Sequence, residues 1–176
     1  AQTRIKDTAN LKAGDTTDDW QLTKVVAHSL IRCGGWNKMD CAKEHVREYN
    51  RSLFGWGGTT TKAIKEIKEG RRDVKKQKWR PEAAPNTGCG NGVAMKVAPL
   101  ALFETVKSGL PYSKRLADLC MDLGPLTHPD PRASFAAFAV ALAIAKNIFI
   151  PVKDPKDGEE RLLKVLLREV EKLELE

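Results

Sequence analysis

The chain has 176 residues, is 41% hydrophobic and 30% charged, and carries a formal net charge of +7. That balance supplies the apolar surface for one packed domain over residues 1–176 and excludes a disordered or collagen-like polypeptide. The basic excess is local: residues 62–80 hold nine Lys/Arg against three acidic side chains, which favours an anionic partner but is more often a solvated face.

The first predicted helix follows "GDTTDDWQLT", residues 14–23, where Asp15, Asp18 and Asp19 crowd together. Leu22, Val25, Val26 and Leu30 then recur at i, i+3, i+4 and i+8, which is one helix face. Gly34 and Gly35 end it. A second helix is expected over about 38–53. "FGWGGTTTK" is a glycine loop that opens a basic helix over about 60–72, and "KWRPEAAPNTGCGNG" reads as a long irregular loop. The next helix is expected from about Asn91, with Met95, Ala98, Leu102 and Val106 on one side. "PYSKRLADLCMDL" gives a short helix. "THPDPRA" opens a long alanine-rich one, with Thr127 as its cap and proline in its first turn. Residues 133–152 are the best candidate for a membrane span. Lys146, Asn147 and the flanking prolines favour a buried core helix, and no membrane contact is expected. Leu163, Leu166, Leu167, Val170 and Leu173 predict a last amphipathic helix. No stretch alternates convincingly, so the fold class is all-α.

Cys33, Cys41, Cys89 and Cys120 show no C-x-x-C spacing, which points to reduced thiols and a cytoplasmic setting. Three loops, "GDTTDD", "FGWGGTT" and "TGCGNG", feed helix starts. Unsatisfied N–H groups there attract anions, and glycine lets a ligand approach the backbone. Asp and Thr oxygens are the hard ligands that magnesium or calcium prefers. Taken singly, each motif has a simpler reading: Thr17, Asp18 and Asp19 as helix cap and dipole partners, the glycine loops as tight turns, His128 as a loop histidine.

The order of the motifs adds to this. "TDDWQLT", "GWGGTTTKAI", "GCGNGVAMKVAPLALF" and "THPDPRASFAAFAVALA" together resemble the ADP-ribosylglycohydrolase family, over about residues 15–145. The resemblance implies an all-α multi-helix bundle. It also implies Mg²⁺-dependent hydrolysis of the glycosidic bond between ADP-ribose and a protein side chain, with two magnesium ions in the complete site. Carried over by motif, Thr17, Asp18 and Asp19 are metal ligands, and Asp18 and Asp19 are catalytic. Gly57, Gly58 and Thr59, preceded by Gly55, form one substrate loop. Gly88, Gly90, Asn91 and Gly92 form another, and Thr127 and His128 lie near the substrate.

The sequence departs from the family pattern at Trp20, where Thr or Ser is usual, and at Lys96, where Arg is usual. Neither the family's upstream acidic helix nor its downstream Asp-x-Asp-Thr element is seen. The bundle is therefore expected to be incomplete and the metal site a half-site. A second polypeptide completing that site is one expectation. A non-catalytic ADP-ribose-binding or structural relative is another. A basic nucleic-acid-binding module over residues 62–80 is the third, disfavoured because Trp79 has few aromatic companions.

Overall fold

The computed structural model describes residues 12–51, 55–77 and 88–149, together with Lys164 and Arg168. Among the described residues there are six α-helices and no strand: α1 Asp18–Cys33, α2 Lys38–Arg51, α3 Gly58–Lys68, α4 Ala98–Ser108, α5 Lys114–Leu123 and α6 Pro131–Phe149. Two 3-10 turns, Ala94–Lys96 and Gly124–Leu126, precede α4 and α6. The all-α expectation holds.

Sequence chemistry explains the helix boundaries. Gly34 ends α1 with φ 62°, and the Gly35 N–H returns to the Leu30 carbonyl at 3.1 Å. Gly109 ends α4 the same way. Ser113 caps α5 by accepting the Leu116 N–H at 3.1 Å. The predicted second helix runs as α2, and its expected end beyond Arg51 lies outside the described residues, as does the predicted C-terminal amphipathic helix.

Two expectations are corrected. The fourth helix begins at Ala98, not Asn91, because residues 91–97 wind through turns and a 3-10 segment before Pro99 enters the first turn. Ala98, Leu102 and Val106 do share one side of α4, the outward one, and Leu100, Ala101, Glu104 and Thr105 form its buried side. Thr127 is not the cap of α6. Its hydroxyl is engaged elsewhere, and the Asp130 carboxylate accepts the Arg132 N–H at 2.9 Å at that helix start.

Helix α1 packs on α2 and α4, and α6 packs on α4 and α5. Helix α6 is long and apolar enough to cross a membrane, yet Ala133, Ala137, Phe138, Ala141, Leu142 and Ala145 are buried in the main core. Its small residues let α4 and α5 approach closely. A second, smaller cluster joins Leu22 of α1, Trp56 of the glycine loop and Ile64 of α3. Burying each such side chain contributes roughly 1.5–3 kcal/mol. This cluster matters for function because it clamps the glycine loop against the start of α1.

Candidate functional site

Of the three crowded carboxylates, Asp15 belongs to a turn: its Oδ2 accepts the Lys12 N–H at 2.8 Å. Asp18 and Asp19 occupy the first turn of α1, where they oppose the helix dipole. Thr17 takes the N-cap backbone conformation, but its side chain makes no cap bond. Its hydroxyl donates to Asp19 Oδ2 at 3.2 Å. The simple capping reading therefore accounts for the two charges and not for the threonine.

Gln21, one turn on and buried, ties this segment to the glycine loop. Its amide N–H donates to the Thr16 carbonyl, and its Oε1 accepts the Trp56 indole N–H at 2.7 Å. Gly55 completes the junction at φ 75°, where an added Cβ would lie 2.9 Å from Asp18 Oδ1. Only a glycine lets that carboxylate sit against the loop backbone.

Helix α3 starts at Gly58, and its N-cap residue Gly57 has no side chain to cap it. The first intrahelical bond runs from Thr61 N–H to the Gly57 carbonyl at 2.8 Å, so the N–H groups of Gly58, Thr59 and Thr60 precede the helical ladder. These three residues line a depression of about 180 Å³, whose wall also includes Asp18, Gly90, Asn91, Gly92, Met95 and His128. A wider cleft of about 390 Å³ adjoins it, sharing Gly58 and Thr59 and adding Lys62, Arg72, Gly88, Thr127 and Pro129. Volumes of this order suit a nucleotide-sized ligand. A larger space of about 430 Å³ lies between α2 and α3, lined by Met39, Ala42, Val46 and Ile67 among others, away from every motif residue except through Arg72. Its wall is mostly apolar, with Lys43, Lys68, Arg72 and Asp73 also lining it.

The glycines of the second loop have distinct duties. Gly88, at φ 81°, leaves room for Pro129. An added Cβ at Gly92 would lie 2.6 Å from His128 Cε1, whereas one at Gly90 would lie 3.7 Å from His128 Nε2, an ordinary contact. Gly92 thus seats the histidine ring, and Gly90 faces open space.

The structure brings Asp18, Gly57, Gly58, Thr59, Gly88, Gly90, Asn91, Gly92 and His128 to the two adjoining depressions, from four separate stretches of chain. Thr17 and the exposed Asp19 lie on the neighbouring surface and not in either lining. Among the described residues no group of three His, Cys, Asp or Glu converges as a metal site.

Beneath the second loop lies a residue that sequence reasoning noticed only as a departure. Lys96 is fully buried. Its Nζ sits 2.9 Å from Thr127 Oγ1 and 3.3 Å from His45 Nε2. Burial pulls its pKa down to about 8. His128 is pushed down to about 3, by burial first and then by Lys96 and Arg72, so it is neutral at pH 7. His45 is also held near 3, by burial and then Lys96. Gln21 and Trp56 lie within the quoted motifs but were not singled out, since nothing in the sequence marks their bond to each other.

Asp18, the start of α3 and the loop around Asn91 thus meet at one depression of a protein that is all-helical among its described residues. The ADP-ribosylglycohydrolase family model matches residues 2–174, and the chain belongs to that family. Membership carries the class of chemistry with it: a glycoside hydrolase directed at ADP-ribose-linked substrates.

Proposed function

We propose that this chain takes part in Mg²⁺-dependent hydrolysis of the bond between ADP-ribose and a protein side chain. The observation that carries this reading is the meeting of Asp18, the start of α3 and the loop around Asn91 at one depression. The pyrophosphate fits the N–H groups of Gly58, Thr59 and Thr60, with Lys62 on the adjoining wall beside the Arg72–Glu66 ion pair. Asn91 offers both donors and an acceptor to ribose hydroxyls. Cleavage develops positive charge on the sugar, which the Asp18 carboxylate stabilises. Asp18 or Asp19 accepts the proton of the attacking water.

The donor set fits a hard cation: two carboxylates and a hydroxyl, all oxygen, at residues 17–19. Thr17, Asp18 and Asp19 would hold the ion, which would supply Lewis-acid polarisation and a more acidic water. Three oxygen-bearing residues would fill about half of a coordination shell, and a further acidic element of the Asp-x-Asp-Thr kind would complete it. The test is release of ADP-ribose from ADP-ribosylated arginine and serine peptides, with magnesium or with chelator. The chain alone is expected to bind ADP-ribose but turn over slowly, since misplacing the water by about 1 Å can cost ~10²-fold. Adding a polypeptide with an Asp-x-Asp-Thr element restores the rate. Rapid magnesium-dependent release by the chain alone overturns the half-site reading, and no binding of ADP-ribose overturns the whole.

A further inference from the structure

We propose that Lys96 and Thr127 are positioning residues that lock His128 into its Nε2–H tautomer, so that it presents one neutral N–H donor to an oxygen of the bound ligand. Donors and acceptors alternate along a buried chain. It starts at His45, whose Nδ1 lies 2.8 Å from the Cys41 carbonyl oxygen. A carbonyl only accepts, so Nδ1 carries the proton and Nε2 holds a lone pair. Lys96 Nζ lies 3.3 Å from that Nε2. An ammonium only donates, so the two ends match.

The same ammonium reaches Thr127 Oγ1 at 2.9 Å, and the threonine must accept there too. Thr127 is itself fully buried, and its own hydroxyl proton needs an acceptor. His128 Nδ1 lies 2.9 Å away. It takes that proton as an acceptor, which leaves the ring proton on Nε2. The Nε2 edge faces the glycine loop, 3.0 Å from where a Gly92 Cβ would be and 3.7 Å from that of Gly90, in the wall of the smaller depression. Every link is buried, so water does not offer substitutes. The lowered proton affinity of His128 is consistent with this order, because a neutral ring is what the chain of bonds requires.

The lysine acts through threonine and touches no ligand itself. Two buried histidines of one protein are thereby held in opposite tautomers, His45 as Nδ1–H and His128 as Nε2–H. The inference rests on the proposed function only in naming the acceptor, an oxygen of an ADP-ribose-linked substrate.

Long-range proton–nitrogen spectra of the ¹⁵N-histidine-labelled full chain, without ligand at neutral pH, read the tautomers directly. The chain has three histidines, so assignment is tractable. His45 is expected with its proton on Nδ1 and His128 with its proton on Nε2. Thr127→Val removes the hydroxyl at nearly constant shape, and a measurable Nδ1–H fraction should appear at His128 while His45 stays unchanged. Thr127→Ser should restore the single tautomer. Lys96→Met, which frees the threonine to turn round, should mix the His128 tautomers as Thr127→Val does. ADP-ribose should shift the His128 Nε2–H signal in the parent, and Thr127→Val should bind it up to about tenfold more weakly. A proton on His128 Nδ1 in the parent, or a pure Nε2–H ring in both Thr127→Val and Lys96→Met, overturns the relay. An ordered relay whose His128 signal ignores bound ADP-ribose overturns the assigned acceptor alone. Absence of any ADP-ribose binding, with the relay intact, sinks the functional reading and not the proton order.

Discussion

Gly55→Ala separates the needs of the site from the needs of the fold. At φ 75° an alanine is strained by roughly 1–2 kcal/mol from its backbone alone. In a chain of this size that lowers Tm by about 2–8 °C. The new methyl also meets Asp18 Oδ1 at 2.9 Å, closer than Cβ contacts run, with the Asp18 backbone nitrogen at 3.6 Å behind it. The carboxylate must swing away. Gly34 is the control: its φ is 62°, and an added Cβ there meets nothing within 4 Å. Gly34→Ala should show a similar fall in Tm by thermal denaturation. Only Gly55→Ala should weaken Mg²⁺ and ADP-ribose binding in calorimetric titration, and where turnover is reconstituted it should fall by about 10²-fold for a displacement near 1 Å. Equal effects of the two variants on binding would show that strain, not the position of Asp18, is being measured. An unchanged affinity in Gly55→Ala would remove Asp18 from the site.

Three further outcomes are expected. Gly90→Val, whose Cβ meets only an ordinary contact, should fold with nearly the parental Tm and lose ADP-ribose binding by titration; parental binding would make the loop a turn and no more. Mg²⁺ titration should show at most one weak site, lost in Asp18→Asn/Asp19→Asn, and two tight sites in the isolated chain would contradict the half-shell. His45 and His128 bind protons in the unfolded chain near pH 6.5 and in the folded chain only near 3, so the unfolded state holds more protons between these values. Stability should therefore fall as pH drops below about 6.5, with a slope approaching roughly 2.7 kcal/mol per pH unit for two protons; urea midpoints that stay flat from pH 7 to 5 would contradict the buried neutral rings.

The helices were legible where local chemistry fixes them. The α1 stripe of Leu22, Val25, Val26 and Leu30 is buried as its spacing demands, and Gly34 stops it. The site was legible as motifs because backbone-approach glycines and crowded oxygens leave strong marks in sequence. What stayed hidden depends on three-dimensional context. A lysine is ordinarily a surface residue, so nothing in "GNGVAMKVAPL" announces that Lys96 is fully buried beneath the loop. Gln21 looks like any polar helix residue, yet it joins Thr16 to Trp56. The buried side of α4 was hidden for another reason: it includes Glu104 and Thr105, so hydropathy does not mark it, while the apolar Leu102 and Val106 face outward.

The helix starts themselves differ in their caps. Away from the depressions, Ser113 caps α5 and the Asp130 carboxylate serves α6. Gly57 before α3, at the depressions, and Thr17 before α1, on the neighbouring surface, make no side-chain cap bond; nor does Val97 before α4, where a 3-10 turn runs into the helix. The α3 start at the depression is left open, and a break in a local rule is expected where a ligand takes over the bonds. Gly57→Ser tests this at α3. Gly57 has φ −57° and ψ 142°, which serine adopts without strain, so its oxygen can accept from Thr59 or Thr60. Stability should hold or rise by a few tenths of a kcal/mol, since serine is the slightly better cap. ADP-ribose affinity should nevertheless fall, because the hydroxyl now occupies an N–H that the pyrophosphate needs. Gly57→Ala adds the same carbon without the oxygen and should weaken binding less. Equal losses in the two variants would mean crowding, not competition for the helix end. Full affinity in Gly57→Ser would move the phosphates off α3.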